Sequence, residues 1–431
     1  MGIPAPRIDS PFVADRVQHF PESVIRSMSR VAAQHGAVNL GQGFPDFDPP
    51  REVMEAAKKA IDDGFNQYAV TWGTPALRQA LAEKLRSFNR IEAHPDQNLV
   101  VTCGATEAMM ATLLGTVDPG DRVVLFEPFY ENFGPDAIVS GASPLLVPLT
   151  EPEFQPDAER LKQAFAQRPK AVVVNTPGNP TGRIFTDATL RLLADLCADN
   201  NVLAVTDEIY EYLVYDGKRH TSLATVGDMA ERTVTVGGFS KTYSVTGWRL
   251  GYTCAPKPVT DAIKRVHDFL TVGAPHPLQV AAVAALGLPQ SYYTELRDGY
   301  QAKRDFLLAT LRRAGFACSQ PDGAYYILAD WTALSGPGRS GLSGPGRSGL
   351  SGPGRSGLGE FADDTAFAMW LAREARVACI PGSSFFQDGA RGRHLVRFAY
   401  PKKLATLQEA ARRLEGLRER VAERQAPSVV S

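Results

Sequence analysis

No apolar run in this chain approaches the roughly 20 residues that a membrane span needs. The start, Met1 to Phe12, also lacks the basic stretch and apolar core of an export signal. These absences predict a cytoplasmic protein with no membrane partner. Cysteine is scarce: five residues, at 103, 197, 254, 318 and 379, with no Cys-x-x-Cys pair and no histidine cluster beside them. The pattern excludes a disulfide framework and reads as reduced structural thiols, so no metal is expected. An excess of one charge is missing too. Forty-six basic residues against 47 acidic ones leave a net charge of -1, which gives no electrostatic footprint for nucleic acid.

What is present is a soluble globular balance, 44% hydrophobic and 22% charged over 431 residues, long enough for two domains and a large core. Short runs rich in Val, Leu and Ile predict strands at Leu99–Thr102, Arg122–Phe126, Ala171–Asn175, Val202–Thr206, Thr233–Val236 and Leu250–Cys254. Helical patterns lie between several of them. Thr74-Pro75 opens one helix with a cap and a first-position proline, and Leu77, Leu81, Leu85 and Phe88 mark its apolar face; Asp187–Ala198 and Pro258–Phe269 behave similarly. Near-continuous apolar strands alternating with helices imply a mostly parallel sheet covered on both faces, an α/β domain. From about residue 290 the pattern changes to a long helix (Glu295–Arg313), a strand (Ala324–Ala329), a helix (Asp364–Arg376), a strand (His394–Ala399) and a terminal helix, a smaller α+β unit.

Within that unit three perfect copies of SGPGRSGL run from Ser335 to Leu358. Gly, Pro and Ser offer little to a core, so a flexible surface excursion is expected, with a basic tether through Arg339, Arg347 and Arg355 as the alternative. Its deletion is expected to leave activity and stability nearly unchanged.

Candidate chemistry gathers after the strands, where α/β folds bind ligands. The run Gly238 to Arg249 holds Lys241 in a Gly- and Ser-flanked bend and Arg249 eight positions on. Such a lysine can form a Schiff base with an aldehyde cofactor, and the arginine can clamp a phosphate; the plain alternative is a solvated loop. Asp207 ends the strand before Glu208-Ile209-Tyr210, where a buried carboxylate can pair with a protonated pyridine nitrogen and Tyr210 can donate to a ring oxygen; alone it would read as a turn cap. Asn175 to Gly182 reads NTPGNPTG, a rigid turn that can aim Asn179 at a ligand, or a simple connection. Gly104 turns a strand into a helix beginning near Ala105, whose free N–H groups attract phosphate.

Taken along the chain, in the order glycine turn, NPTG, Asp-x-x-Tyr, Ser-Lys and Arg, these elements resemble the class I/II aminotransferases, pyridoxal-phosphate enzymes of fold type I. Asn39 to Phe47 and Asn66-Gln67-Tyr68 look like the kynurenine, glutamine and methionine branch. The resemblance implies a mostly parallel seven-stranded sheet in a large domain, 48–288, a small domain, 289–425, an N-terminal arm, 1–47, that joins the small domain, and a disordered tail, 426–431. It implies pyridoxal 5'-phosphate as cofactor, with Lys241 as its Schiff-base lysine and proton carrier, Asp207 on the pyridine nitrogen, and Asn179 and Tyr210 on the ring oxygen. Arg249, Ser240 and the Gly104-Ala105-Thr106 turn would surround the phosphate, and Tyr130 would stack on the ring. Arg397, with the Gly43 N–H, would take the substrate α-carboxylate, which suits a planar bidentate cation. Tyr68 would reach the phosphate of a neighbouring subunit, implying a homodimer with shared sites.

One position departs from the family pattern: Gly238 stands where Ser or Thr is common, three residues before the lysine, which removes one phosphate-facing hydroxyl and leaves the role of Ser240 open. The implied reaction is ping-pong amino transfer from an L-amino acid to a 2-oxo acid. Ile25, Phe44 and Tyr130 suggest an apolar pocket, and no second basic residue is evidently placed for a side-chain carboxylate. Neutral donors such as methionine, glutamine or aromatics are therefore expected, with aspartate or N-succinyldiaminopimelate as alternatives. A cysteine-conjugate β-lyase is a rival use of the same residues. A ligand-sensing transcription regulator would need a DNA-binding module that the residues before Asn39 are too few to supply.

Overall fold

The computed structural model describes residues 8, 10, 12–18, 20, 22–335 and 361–425. The octapeptide copies, apart from Ser335, and the 426–431 tail lie outside the described residues. Among the described residues, no helix is long and apolar enough to cross a membrane.

In chain order the strands are β1 (Val38–Asn39), β2 (Leu99–Thr102), β3 (Arg122–Glu127), β4 (Ser143–Thr150), β5 (Gln155–Pro156), β6 (Ala171–Asn175), β7 (Leu203–Asp207), β8 (Thr233–Gly238), β9 (Gly251–Cys254), β10 (Ala317–Cys318), β11 (Tyr326–Asp330), β12 (Val377–Ala378), β13 (Ile380–Pro381) and β14 (Leu395–Ala399). The central sheet has the order β2-β9-β8-β7-β6-β3-β4-β5. Its pairs from β8 through β7, β6 and β3 to β4 are parallel, and β9 is antiparallel to both neighbours. The sheet is therefore mostly parallel, as expected, but has eight strands rather than seven: the two-residue β5 adds an antiparallel edge to β4.

The sequence reading missed β4, because Pro144 and Pro148 interrupt its apolar run and proline demotes a strand. The β3–β4 ladder accommodates both, opposite Val123 and Glu127. Strands β2 and β9 are buried throughout, as are all but the last residue of β6, which is why they read as unbroken apolar runs.

The sheet brings separate chain segments together. Asn175 and Asp207, last residues of β6 and β7, are register partners, and Asp207 also pairs with Val236 near the end of β8. Gly251 pairs with both Gly238 and Thr102. The turns carrying Asn179, Asp207, Lys241, Arg249 and Gly104 thus leave the sheet at one edge.

Four helices have bounds that matter below. Helix α1 (Val24–Gln34) starts from Ser23, whose Oγ accepts the Arg26 N–H, and α2 (Arg51–Asp62) follows it. Helix α3 (Pro75–Lys84) has the expected Thr74 cap on Leu77 and buries Leu77 and Leu81. Beyond Lys84 it widens into a π turn over Leu85–Asn89; the altered winding takes Phe88 off the apolar face. Phe88 is 39% exposed and stacks on Tyr212 at 4.1 Å. Helix α4 (Ala105–Thr116) covers the sheet behind Gly104.

Residues after 290 form the antiparallel sheet β10-β11-β14-β13, preceded by one long helix, Gln290–Ala314. Where one terminal helix was expected there are two, Leu404–Leu414 and Leu417–Gln425. Strand β1 pairs in parallel with β12, so the chain before residue 47 returns to pack with this later unit.

Candidate active site

The strand-end turns surround a cavity of about 360 Å³. Asp207, Tyr210, Asn179, Ser240, Lys241 and Arg249 all line it. Ala105, Thr106, Tyr130, Gly43, Ile25 and Arg397 complete the expected set in its wall, with Gly104 immediately behind. Tyr68 alone lies elsewhere: it is 86% exposed, in a separate apolar depression with Phe65, Val70 and Val280.

Lys241 Nζ donates to Gly43 O at 3.4 Å and lies 6.0 and 5.7 Å from the ring centres of Tyr210 and Tyr325. Burial lowers its pKa to about 8; Asp207 opposes that shift, and Arg249 and Arg397 add to it. Burial likewise raises Asp207 to about 6, against the Ile209 N–H at 3.2 Å and the nearby lysine. Tyr210 shares a 2.9 Å hydrogen bond with Tyr326 OH, and burial holds its phenol well above the ordinary range.

Arg397 is 1% exposed on β14. Its Nη1 donates to Asn179 Oδ1 and its Nη2 to Gly41 O, both at 2.7 Å, while the rings of Tyr326 and Phe385 flank it. The buried Nε has no hydrogen-bond partner among the described residues. No carboxylate of a described residue forms an ion pair with Arg397, although a buried guanidinium strongly favours one. Asn179 is aimed by its own turn: its N–H donates to Asn175 Oδ1 at 2.7 Å.

The Asn39–Phe44 turn is pinned from several sides. Asn39 Oδ1 accepts the N–H groups of Gly41 and Gln42, Tyr325 OH donates to Gly43 O at 2.7 Å, and Lys402 Nζ donates to Phe44 O at 2.8 Å. Gly43 N–H donates to no described residue and remains available at the cavity wall. A Cβ at Gly43 would stand 2.3 Å from Tyr326 OH, so glycine is required there.

A phosphate cradle lies at the α4 start. Gly104 has φ +85° and no side chain caps the helix, leaving first-turn N–H groups unsatisfied. Arg249 Nη2 stands 3.4 Å from Thr106 Oγ1. Ser240 is buried with no hydrogen bond to its hydroxyl from a described residue. At Gly238 a Cβ would meet Ile209 Cδ1 and Leu250 O at 3.4 Å, so the missing side chain leaves no large void. These donors, with an acid, a lysine and a cradle that a Cβ would fill, fit pyridoxal 5'-phosphate.

Several wall residues escaped the sequence reading: Tyr326, Met109, Glu131, Asp136 and Arg26. Arg26 is an exposed side chain at the cavity's lining, and its guanidinium forms no hydrogen bond with a described residue. The Ser23-x-x-Arg26 start of α1 carried a helix-cap signal, but nothing local tied that helix to the cavity. Glu208, Glu211 and His220 cluster beyond the cavity wall. Glu208 is bonded by Thr206, Ser222 and His220, and Glu211 by Lys84 and Asn89, so their oxygens are already engaged.

The sheet order, the turns and the cradle define a pyridoxal-phosphate enzyme of fold type I. The family model for aminotransferase class I and II matches residues 35–414. The chain is similar to a probable N-succinyldiaminopimelate aminotransferase DapC of Mycobacterium tuberculosis, 36% identical across 94% of this chain and 99% of that one. It is 34% identical to a methionine aminotransferase of Escherichia coli, over 92% and 96% of the two chains. The solved structure of N-succinyldiaminopimelate aminotransferase from M. tuberculosis superposes with a TM-score of 0.86, at 36% identity, covering 94% of this chain and all of that one. The chain belongs to the class I and II aminotransferase family and is a pyridoxal-phosphate-dependent enzyme that transfers amino groups.

Proposed function

We propose that this enzyme takes the amino group of a neutral L-amino acid, such as glutamine, methionine or an aromatic, and passes it to a 2-oxo acid by a ping-pong route. The observation that carries the reading is Arg397, buried among neutral acceptors with an unpartnered Nε and no carboxylate of its own. It binds the α-carboxylate of donor and acceptor in turn, with the Gly43 N–H beside it.

Lys241 would hold the cofactor and, as a free amine, would take and return the proton at the substrate Cα. A lysine serves as a base near neutral pH only when its charged form is disfavoured, and its burial does this. Asp207 and Tyr210 would hold the cofactor ring, Asn179, which accepts a hydrogen bond from Arg397, would contact it, and Tyr130 would pack against it. Arg249, Ser240 and Gly104-Ala105-Thr106 would hold the phosphate. Pyridoxal phosphate supplies the electron sink that makes the Cα proton acidic.

Ile25, Phe44 and Met109 line the same cavity, which supports a neutral donor. Arg26, whose guanidinium forms no hydrogen bond with a described residue, supports a dicarboxylic 2-oxo acid as acceptor. The same reading divides the chain near 47/48 and 288/289 into arm, large and small domains. It makes the enzyme a cytoplasmic homodimer, the apolar depression around Tyr68 and Phe65 being the surface that a second copy covers. Amino donors assayed against 2-oxoglutarate and pyruvate test the specificity: glutamine, methionine or an aromatic donor leads, whereas a strong preference for aspartate or an acylated diaminopimelate contradicts it.

A further inference from the structure

Glu107 lies in the first turn of α4, behind the cradle formed by Gly104, Thr106 and Arg249, and both of its carboxylate oxygens are engaged. Its Oε2 accepts the Cys103 N–H at 2.5 Å, one residue before the Gly104 bend. Its Oε1 accepts the Thr271 hydroxyl at 2.9 Å and meets His267 Nδ1 at 2.6 Å. His267, 0% exposed in the helix Lys257–Thr271, reaches the Thr71 carbonyl with its other nitrogen at 2.9 Å.

These partners fix the protons. A carbonyl oxygen only accepts, so His267 Nε2 carries a hydrogen. Two lone pairs at the Nδ1–Oε1 distance would repel, so one proton lies between them and the pair has zero net charge. Burial disfavours the charged ring, but the hydrogen bond and charge of Glu107 outweigh it and raise the His267 pKa above its ordinary value. Burial works against the Glu107 carboxylate too, and the histidine's hydrogen bond and charge bring its pKa below the ordinary value. The pair is an imidazolium and a carboxylate.

The acid and the anion site share one bend. Glu107 holds the backbone at Cys103, and a Cβ on the next residue, Gly104, would stand 2.4 Å from Arg249 Nη2. The start of α4 favours negative charge, but an uncompensated carboxylate there would oppose a phosphate, and repulsion between buried like charges is weakly screened. Glu107 alone could fix the bend only by weakening the anion site.

We propose that His267 is a positioning residue for the cofactor: by neutralising Glu107 it lets the α4 start hold a phosphate while Glu107 keeps the Cys103–Gly104 bend in place. This rests on the reading above that the phosphate lies at that helix start.

The test titrates the cofactor-free full-length enzyme with pyridoxal 5'-phosphate and with pyridoxal, which lacks the phosphate, by the absorbance of the bound aldehyde near neutral pH. The ratio of the two affinities reads the phosphate contribution. His267→Gln leaves Glu107 ionised, because Cys103 and Thr271 still donate to it, and lowers the ratio at least about fivefold. Glu107→Gln accepts the Cys103 N–H with its oxygen and donates to a neutral His267 with its amide, so the ratio stays within about threefold of wild type. The double variant also returns to within about threefold of wild type, as a relieved charge conflict requires and two separate structural losses do not. A smaller fall in His267→Gln, or a larger fall in either of the others, overturns the proposal. Equal losses for both aldehydes with a lower Tm leave the ratio unmoved and assign His267 a purely structural role. Should His267→Gln fail to fold, the other two variants still carry the refutation. If the wild type binds both aldehydes equally, the phosphate reading itself fails; a wild-type preference that no variant alters sinks only the role of His267.

Discussion

A Cβ at Gly104 would stand 2.4 Å from Nη2 of Arg249. The glycine at the start of α4 and the arginine after β8 are thus fitted to each other, and the closeness lets a guanidinium share one anion with the helix N–H groups. Gly104 also has φ +85° and ψ 167°, a conformation that essentially only glycine adopts without strain.

Gly104→Ala is accordingly expected to weaken cofactor binding at least tenfold and to lower stability by about 1–3 kcal/mol. Titration of the cofactor-free protein with pyridoxal phosphate, and a denaturant melt, measure the two effects. Unchanged affinity would separate Arg249 from the phosphate.

Arg397→Lys keeps the charge but loses the planar fork that reaches Asn179 and Gly41. Charge-assisted hydrogen bonds contribute about 1.5–3 kcal/mol each, so KM for every amino donor is expected to rise about 10- to 100-fold. A rise confined to one class of side chain would place Arg397 on the side chain rather than on the α-carboxylate.

Lys241 gives a pH dependence with a definite sign. Only the neutral amine attacks the cofactor aldehyde, and burial lowers the lysine pKa to about 8. Capture of pyridoxal phosphate by the cofactor-free enzyme should therefore accelerate as pH rises through about 8 and level off above it. An acceleration continuing to the ordinary lysine range would mean that Lys241 is solvated. Its effect on folding runs the same way: a depressed lysine pKa costs stability below about 8, and the cost is recovered as pH rises towards the unfolded value.

Most of the site was legible because its residues sit in strand-end turns whose composition is unusual locally. NTPGNPTG, Asp207 after an apolar strand, and the glycine at 104 each state a backbone requirement in a few letters. The parallel register of β6, β7 and β8 then brings those turns together. Arg26 and Asp136 carried no such mark. Asp136 follows Gly134-Pro135, which reads as a turn, and its place in the cavity wall is visible only once α4 and Tyr130 are in place around it. Strand β4 was hidden by its prolines, and the displacement of Phe88 depends on a π turn that helical periodicity does not encode. Tyr325 and Tyr326, read only as part of a strand, fix the Gly43 carbonyl and Tyr210 respectively.

The central claim is that Lys241 is the residue that carries the cofactor. Borohydride reduction of the pyridoxal-phosphate-loaded wild type, followed by peptide mass mapping, locates the carbon–nitrogen link directly. The pyridoxyl mass is expected on the peptide containing Lys241 and on no other lysine, and Lys241→Ala should lose both that label and essentially all amino transfer. A label on another lysine of the wild type, or turnover retained by Lys241→Ala, would contradict the account.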